Sequence, residues 1–345
     1  MSKRNIIYTF LLILTGMSYA QPDSSAEFEN PLENQNFIYS EEKIQEYMQK
    51  TAETKPMRIR QAFKQAYKQA GRNGSWSYSN HFAALWLGKD LDHVNAALLD
   101  IFTTKDSSGR RIDGLDDYWH LSVNQWLYRM YYAFGAKGTV FPGRLYPKTE
   151  QALLEVLWQR MEYKDDIHLA RQSTWWMSGS ENHDLVAKVS SLITSQIFMN
   201  EPEFKDRVYP DLGQGAGYRF WFHQMYGNDQ DTGPKPRGNY KDGKEYTAAD
   251  HYKEWVEFFD EYFTERAKKG FFLEVASPHY MGYDLPNLLD IFDLCKDRSL
   301  TQKAEKFLDA IWADWALDQL NGVRGGVVLP LKIGPCLMRG FRKIL

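Results

Sequence analysis

Two segments of this chain concentrate side chains that can bind an anion or move a proton. The first is Ser173-Thr174-Trp175-Trp176-Met177-Ser178-Gly179-Ser180-Glu181-Asn182-His183-Asp184. A tryptophan pair leads into a turn of small residues, and the turn enters a helix through Glu-Asn-His-Asp. Groups at a helix start lie beside backbone N–H groups that have no partner in the helix, where anions bind well. Asn182 can donate its amide to a carboxylate or carbonyl, and His183 can carry a proton near neutral pH. Capping alone would also use these residues, with Ser180 as N-cap and Asp184 as a first-turn acid. The second segment is Gly270-Phe271-Phe272-Leu273-Glu274-Val275-Ala276-Ser277-Pro278-His279-Tyr280-Met281-Gly282-Tyr283. Here His279, Tyr280 and Tyr283 gather where Pro278 and Gly282 mark a turn between two helices. A tyrosine hydroxyl serves as acid or base once its pKa is tuned by neighbours; the alternative is that both rings pack in the core.

A secondary pair is His120 and Asn124, four residues apart and so on one face of a helix. A structural role accounts for that pair equally well. The remaining histidines, His81, His93, His168, His223 and His251, are scattered without HExxH or similar spacing, so no metal and no organic cofactor is expected.

The two main segments together resemble the α/α-toroid polysaccharide lyases, both the chondroitin/hyaluronate type and the heparinase-like alginate type. Ser178-Gly179-Ser180-Glu181-Asn182-His183 is similar to the TGANR-type motif that supplies the catalytic Asn, and the stretch from Phe272 to Tyr283 is similar to the family's His/Tyr segment. The resemblance spans Trp175 to Tyr283. It departs from the family's pattern at Glu274-Val275, where a Gln-His pair would stand, and no residue matches the family's catalytic Arg. It implies β-elimination on a uronic-acid polysaccharide. In that scheme Asn182 and His183 hold the uronate carboxylate. Tyr283, Tyr280 or His279 exchange protons with C5 and the leaving oxygen. Trp175 and Trp176 form a sugar-stacking wall, with Glu181, His120 and Asn124 as further substrate contacts.

Two other classes compete. A glycoside hydrolase on the same scaffold would need two carboxylates ~5 to 9.5 Å apart across the bond, and Glu181, Asp184, Glu274, Asp116 and Asp117 are available. A non-catalytic carbohydrate-binding protein would need aromatic walls alone.

The elements that must position these residues are helices. Ser40 caps a helix with Glu41 and Glu42 in its first turn. Helical patterns then run over 58–70, 75–87, 92–103, 115–134, 147–161 and 181–199. Residues 227–246 read as a long exposed loop. Thr247 and Asp250 resemble a capping box for a helix whose face carries Trp255, Phe258, Phe259 and Tyr262 and which Gly270 closes. Helices over 285–294 and 300–320 follow. With few strand signals, the expected fold is all-α: an α/α toroid, an incomplete barrel of antiparallel helix pairs.

The chain's start is basic at Lys3 and Arg4, then apolar from Ile6 to Met17, then small-x-small at Ser18-Tyr19-Ala20. This is the pattern of a secretory signal cleaved after Ala20; the apolar run is short for a span of ~20 residues. The expected organisation is a signal peptide at 1–20, a flexible leader at 21–38, the toroid at 39–326 and an atypical tail at 327–345, basic and altered or truncated. The expected location is periplasmic or secreted, with no integral membrane segment after cleavage. A net charge of −3 opposes a broad nucleic-acid surface. Aromatic residues make up 15% of the chain, with 11 Trp and 21 Tyr. Rings with a flat apolar face and a polar edge suit sugar, although a large aromatic core would consume many of them. The expected partner is a polysaccharide or oligosaccharide bound by a monomer. An oxidising compartment would permit Cys295 and Cys336, the only two cysteines, to pair.

Overall fold

The computed structural model describes residues 40–69, 77–111, 122–175, 181–213, 240–272, 278–317, 319–320 and 323–324. The signal, the leader, the tail from 325, His120, His223, Trp176, Asp116, Asp117, Glu274 and most of the long loop lie outside the described residues. So do the side chains of His279 and Tyr280.

The described chain is mostly helical. Its helices are α1 (Glu41–Gln69), α2 (Tyr78–Leu87), α3 (Leu91–Thr103), α4 (Ser122–Phe134), α5 (Pro147–Glu162), the short α6 (Ile167–Ala170), α7 (Glu181–Phe198), α8 (Ala248–Lys269), α9 (Pro278–Leu294) and α10 (Arg298–Leu317). Two small antiparallel ladders accompany them. β1 (Val208–Tyr209) pairs with β2 (Tyr246–Thr247), and β3 (Gln319–Leu320) pairs with β4 (Val323–Arg324). Among the described residues no helix is long and apolar enough to cross a membrane.

Residue pairs fix how the helices run. Gln125 donates to Asn287 at 2.6 Å and, one turn on, Tyr128 and Arg129 both reach Asp290, so α4 and α9 are parallel. At their C-terminal ends Gln196 of α7 donates to Tyr132 at 2.6 Å and to the Leu294 carbonyl at 2.9 Å, which places α7 in the same direction. α8 runs the other way along α7: Arg266 meets Glu181, Lys188 lies over Phe258, and Tyr252 donates to Gln196. α5 opposes α4, since Arg160 bonds Asn124 while Glu150 accepts from the Ala136 N–H. α10 parallels α8 through Lys303–Asp260 and Phe263–Phe307. The chain therefore alternates direction, and the starts of α4, α7 and α9 share one end with the finish of α8.

α7 sits in the middle of this packing because of its composition. Apart from His183 and Ala187 it is almost entirely buried. Three of its small polar residues turn their hydroxyls onto their own helix: Ser191 to the Ala187 carbonyl, Thr194 to that of Ser190, and Ser195 to that of Leu192. Satisfied internally, they need no outside partner, so neighbours approach on every side.

Much of the aromatic content is core. Phe63 stacks on Trp86 at 4.7 Å, Phe82 meets Phe134 at 4.6 Å, Trp158 gathers Phe198, Phe204 and Tyr209, and the buried face of α8 contributes Trp255, Phe258, Phe259, Tyr262 and Phe263. Cys295 is a buried thiol with the Tyr252 hydroxyl 3.8 Å away. Burial raises its pKa to about 11.

Two boundaries differ in consequence from the sequence reading. α9 begins at Pro278, so Gly282 and Tyr283 lie inside a helix where a turn was expected. α1 is a single 29-residue helix that continues through Pro56, where two helices were expected. Proline removes one helix hydrogen bond and crowds the preceding turn. Here that turn is exposed, so the Ala52 carbonyl that loses its partner faces water and the cost is small.

Candidate functional site

The shared end of α4, α7, α8 and α9 brings the two chemistry-bearing segments together. The chain enters it through Thr174 and Trp175, both buried, and α7 begins with Glu181 and Asn182, also buried. Successive helix residues turn by about 100°, so His183 faces outward and is exposed while Asp184 points back inside. Across from this start stands the finish of α8. Gly270 closes that helix in the left-handed region, at φ 97°, which a side chain would strain. The turn before it supplies Tyr262, Arg266 and Lys269.

Arg266 organises the centre. Its guanidinium is fully buried and pairs with the Glu181 carboxylate at 2.8 Å. Its planar face lies 4.1 Å from the Trp175 ring centre and 4.9 Å from that of Tyr262. The Lys269 ammonium adds a second cation 4.8 Å from Trp175. One turn along α7, Asp184 holds Lys188 at 2.7 Å, and Lys188 in turn lies 4.6 Å from the Phe258 ring. Each buried charge thus has an opposite charge beside it, as burial demands. Burial lowers the Lys188 pKa, and Asp184 works against that shift. The Tyr262 hydroxyl is buried with no hydrogen-bond partner among the described residues. Burial first, with Glu181, Asp284 and Asp184 adding to it, pushes its pKa well above the usual value, so it keeps its proton.

The sequence-derived candidates fall in different places. Asn182 and Tyr283 are carried by adjoining helices that start at this end, and Tyr283 is 43% exposed. Trp175 is 4% exposed with cations over its ring, so it is a packed platform for Arg266 and not an open wall for sugar. Glu181 is committed to Arg266 and has no exposed edge for substrate. Asn124 is fully buried, accepting from Arg160 at 2.5 Å and facing the Met161 sulfur; it ties α4 to α5.

Two residues went unnoticed in the sequence, Arg266 and Trp312, and Tyr262 was read only as part of a packed helix face. Arg266 sits on the same helix, whose amphipathic pattern reads as plain core packing. Trp312, on α10, is 42% exposed and meets Trp315 edge-on at 6.4 Å. Because α10 parallels α8, this tryptophan pair lies toward the same end as Arg266. Its position near the end of a helix offered no local signal.

Among the described residues, the cluster with metal-ligand spacing is His168, Asp211 and Asp242, by the start of α8 and so at the opposite end of that helix from Arg266. In comparisons with protein-family models, characterised proteins and solved structures, the chain matches none.

Proposed function

We propose that this chain is an exported carbohydrate-active enzyme, a polysaccharide lyase that cleaves uronic-acid glycans by β-elimination at the shared end of α4, α7, α8 and α9. The alternating helix directions support reading the fold as an incomplete α/α toroid, with the cleft at that end. The observation that carries the reaction type is the state of the α7 carboxylates. Glu181 is neutralised by Arg266 and Asp184 by Lys188, and both pairs are buried. A hydrolase needs two carboxylates facing the scissile bond; these two face cations. The chemistry at the start of α7 then rests on a neutral amide donor, Asn182, beside the positive end of the helix dipole.

In this scheme exposed His183, at the positive end of the α7 dipole, meets the uronate carboxylate, and Asn182 supports it from the buried side of the same turn. Charge drawn into that carboxylate makes the C5 proton acidic and stabilises the enolate-like intermediate. The C5–H bond breaks toward a base, the C4–O bond breaks toward the leaving sugar, and a C4–C5 double bond forms. Tyr283, half-exposed on α9, protonates the leaving oxygen. Tyr280 and His279, on the same first turn of α9, are the candidates for the base. Trp312 takes the sugar-stacking role that buried Trp175 cannot. The basic, apolar, then small pattern of the first 20 residues supports export.

The test is to incubate purified protein with uronic-acid and neutral polysaccharides and follow the ultraviolet band of the unsaturated uronate. The expected result is a rise on one or more uronic-acid polymers and none on neutral ones. New reducing ends without that band would establish hydrolysis and overturn the proposal.

A further inference from the structure

Away from this end of the molecule, three segments of chain deliver ligand atoms to one point. His168 comes from α6, Asp211 from just after β1, and Asp242 from just before β2. Their ligand atoms all lie within 4.8 Å of one another. The His168 Nε2 to Asp211 Oδ1 distance is 3.2 Å. That is close to the ~3.3 Å separating neighbouring ligands on a tetrahedral ion with bonds of ~2.0 Å.

The surroundings aim these atoms. His168 is buried, at 6% exposure, on a helical turn whose N-cap Asp166 accepts from the His168 backbone N–H at 3.0 Å. The Tyr246 ring stands edge-on to the imidazole. Asp211 Oδ2 accepts the Gly243 N–H at 3.3 Å, which turns Oδ1 toward His168. Asp242 accepts the Lys244 N–H on one oxygen and the Tyr246 hydroxyl on the other, at 2.5 Å. Outer hydrogen bonds of this kind orient ligands at metal sites.

Charge favours a cation here. Arg171, the nearest guanidinium, is committed to Glu254 at 3.0 Å and only approaches Asp242 at 3.9 Å. Lys244 is 3.8 Å from Asp242 with its side chain mostly exposed, so it can swing away. Two carboxylates and an imidazole form a mixed nitrogen–oxygen set. Such sets suit borderline divalent ions better than Mg2+ or Ca2+, which take oxygen.

We propose that His168, Asp211 and Asp242 form a three-ligand site for a divalent transition-metal ion of the Zn2+ or Mn2+ class, with water in the remaining positions. The ion joins α6 to the strands β1 and β2 and so fixes the base of the chain that runs between them. This inference is independent of the elimination chemistry.

The experiment uses the full chain stripped with a chelator, then titrated with Zn2+ by calorimetry, with melting temperature followed in parallel. The variants are Asp211→Asn and Asp242→Asn, which keep size and remove charge at partly exposed positions. The expected result is one ion per chain and a melting temperature that rises with Zn2+. Affinity should fall by at least ~10-fold in each variant, with the rise in melting temperature abolished. No binding in excess Zn2+ would overturn the proposal. So would binding that both variants leave unchanged, which would place the ion elsewhere.

Discussion

At the scale of single residues, the account turns on charges that are buried and paired. Breaking such a pair leaves one charge stranded and costs ~3–5 kcal/mol, while replacing both partners by apolar groups is far milder. Arg266→Met is therefore expected to lower stability by about that amount in denaturant unfolding, and the Glu181→Leu/Arg266→Met double variant should recover most of it. His81 offers a second prediction. Burial, the main cause, lowers its pKa from 6.5 to about 4, against the Ser77 carbonyl, which raises it, and with a smaller push from His93. The folded chain keeps His81 neutral while the unfolded chain takes up a proton. Its contribution is fully present above pH 6.5 and is lost as pH falls toward 4, a change of order 3 kcal/mol. A stability–pH curve should flatten over that window in His81→Gln. Asn182 was legible as a candidate because it stands at a helix start, where polar residues are conspicuous, and Tyr283 because Pro278 and Gly282 drew attention to its segment, although that segment proved helical. The roles of Trp175, Glu181 and Asn124 were not, because each is decided by a partner remote in sequence: Arg266 for the first two, Arg160 for the third.

At the scale of elements, local chemistry was the better guide. The Thr247–Asp250 capping box is present, with Asp250 accepting both the backbone N–H and the hydroxyl of Thr247 at 2.8 Å. Asp250→Ala should cost ~1 kcal/mol in thermal or denaturant unfolding, without changing the helix content seen by circular dichroism. Gly270 ends α8 as the sequence implied, and helix starts at Pro147 and Glu181 fall where expected. The error at Pro56 has a physical lesson. A proline breaks a helix when the lost hydrogen bond is buried, but here the freed Ala52 carbonyl is exposed and water can take it. The one-turn helix α6 was invisible because four residues carry no periodicity. It nonetheless delivers His168 to Asp211 and Asp242, which stand far along the chain, and no spacing rule links such distant positions.

At the scale of the whole molecule, helical content was plain from apolar periodicity, while helix direction became clear only through pairs such as Gln125–Asn287 and Glu181–Arg266. Those pairs decide that the starts of α4, α7 and α9 meet the finish of α8, which makes one end of the molecule chemically distinct. The aromatic richness divides between that end and the core. Trp158, Trp255 and Trp175 are buried and Trp312 is half-exposed, so composition overstated the sugar-facing surface. The central claim is that Asn182 stabilises charge developing on a uronate carboxylate. The most direct test compares wild type, Asn182→Ala and Tyr283→Phe on a uronic-acid polysaccharide the wild type degrades, following formation of the unsaturated product. The account predicts that Asn182→Ala lowers kcat by ~10²–10³-fold, beyond the ~1–3 kcal/mol of stability that losing a buried amide costs, with a clear loss in Tyr283→Phe as well. An Asn182→Ala variant that folds and eliminates at the wild-type rate would contradict it.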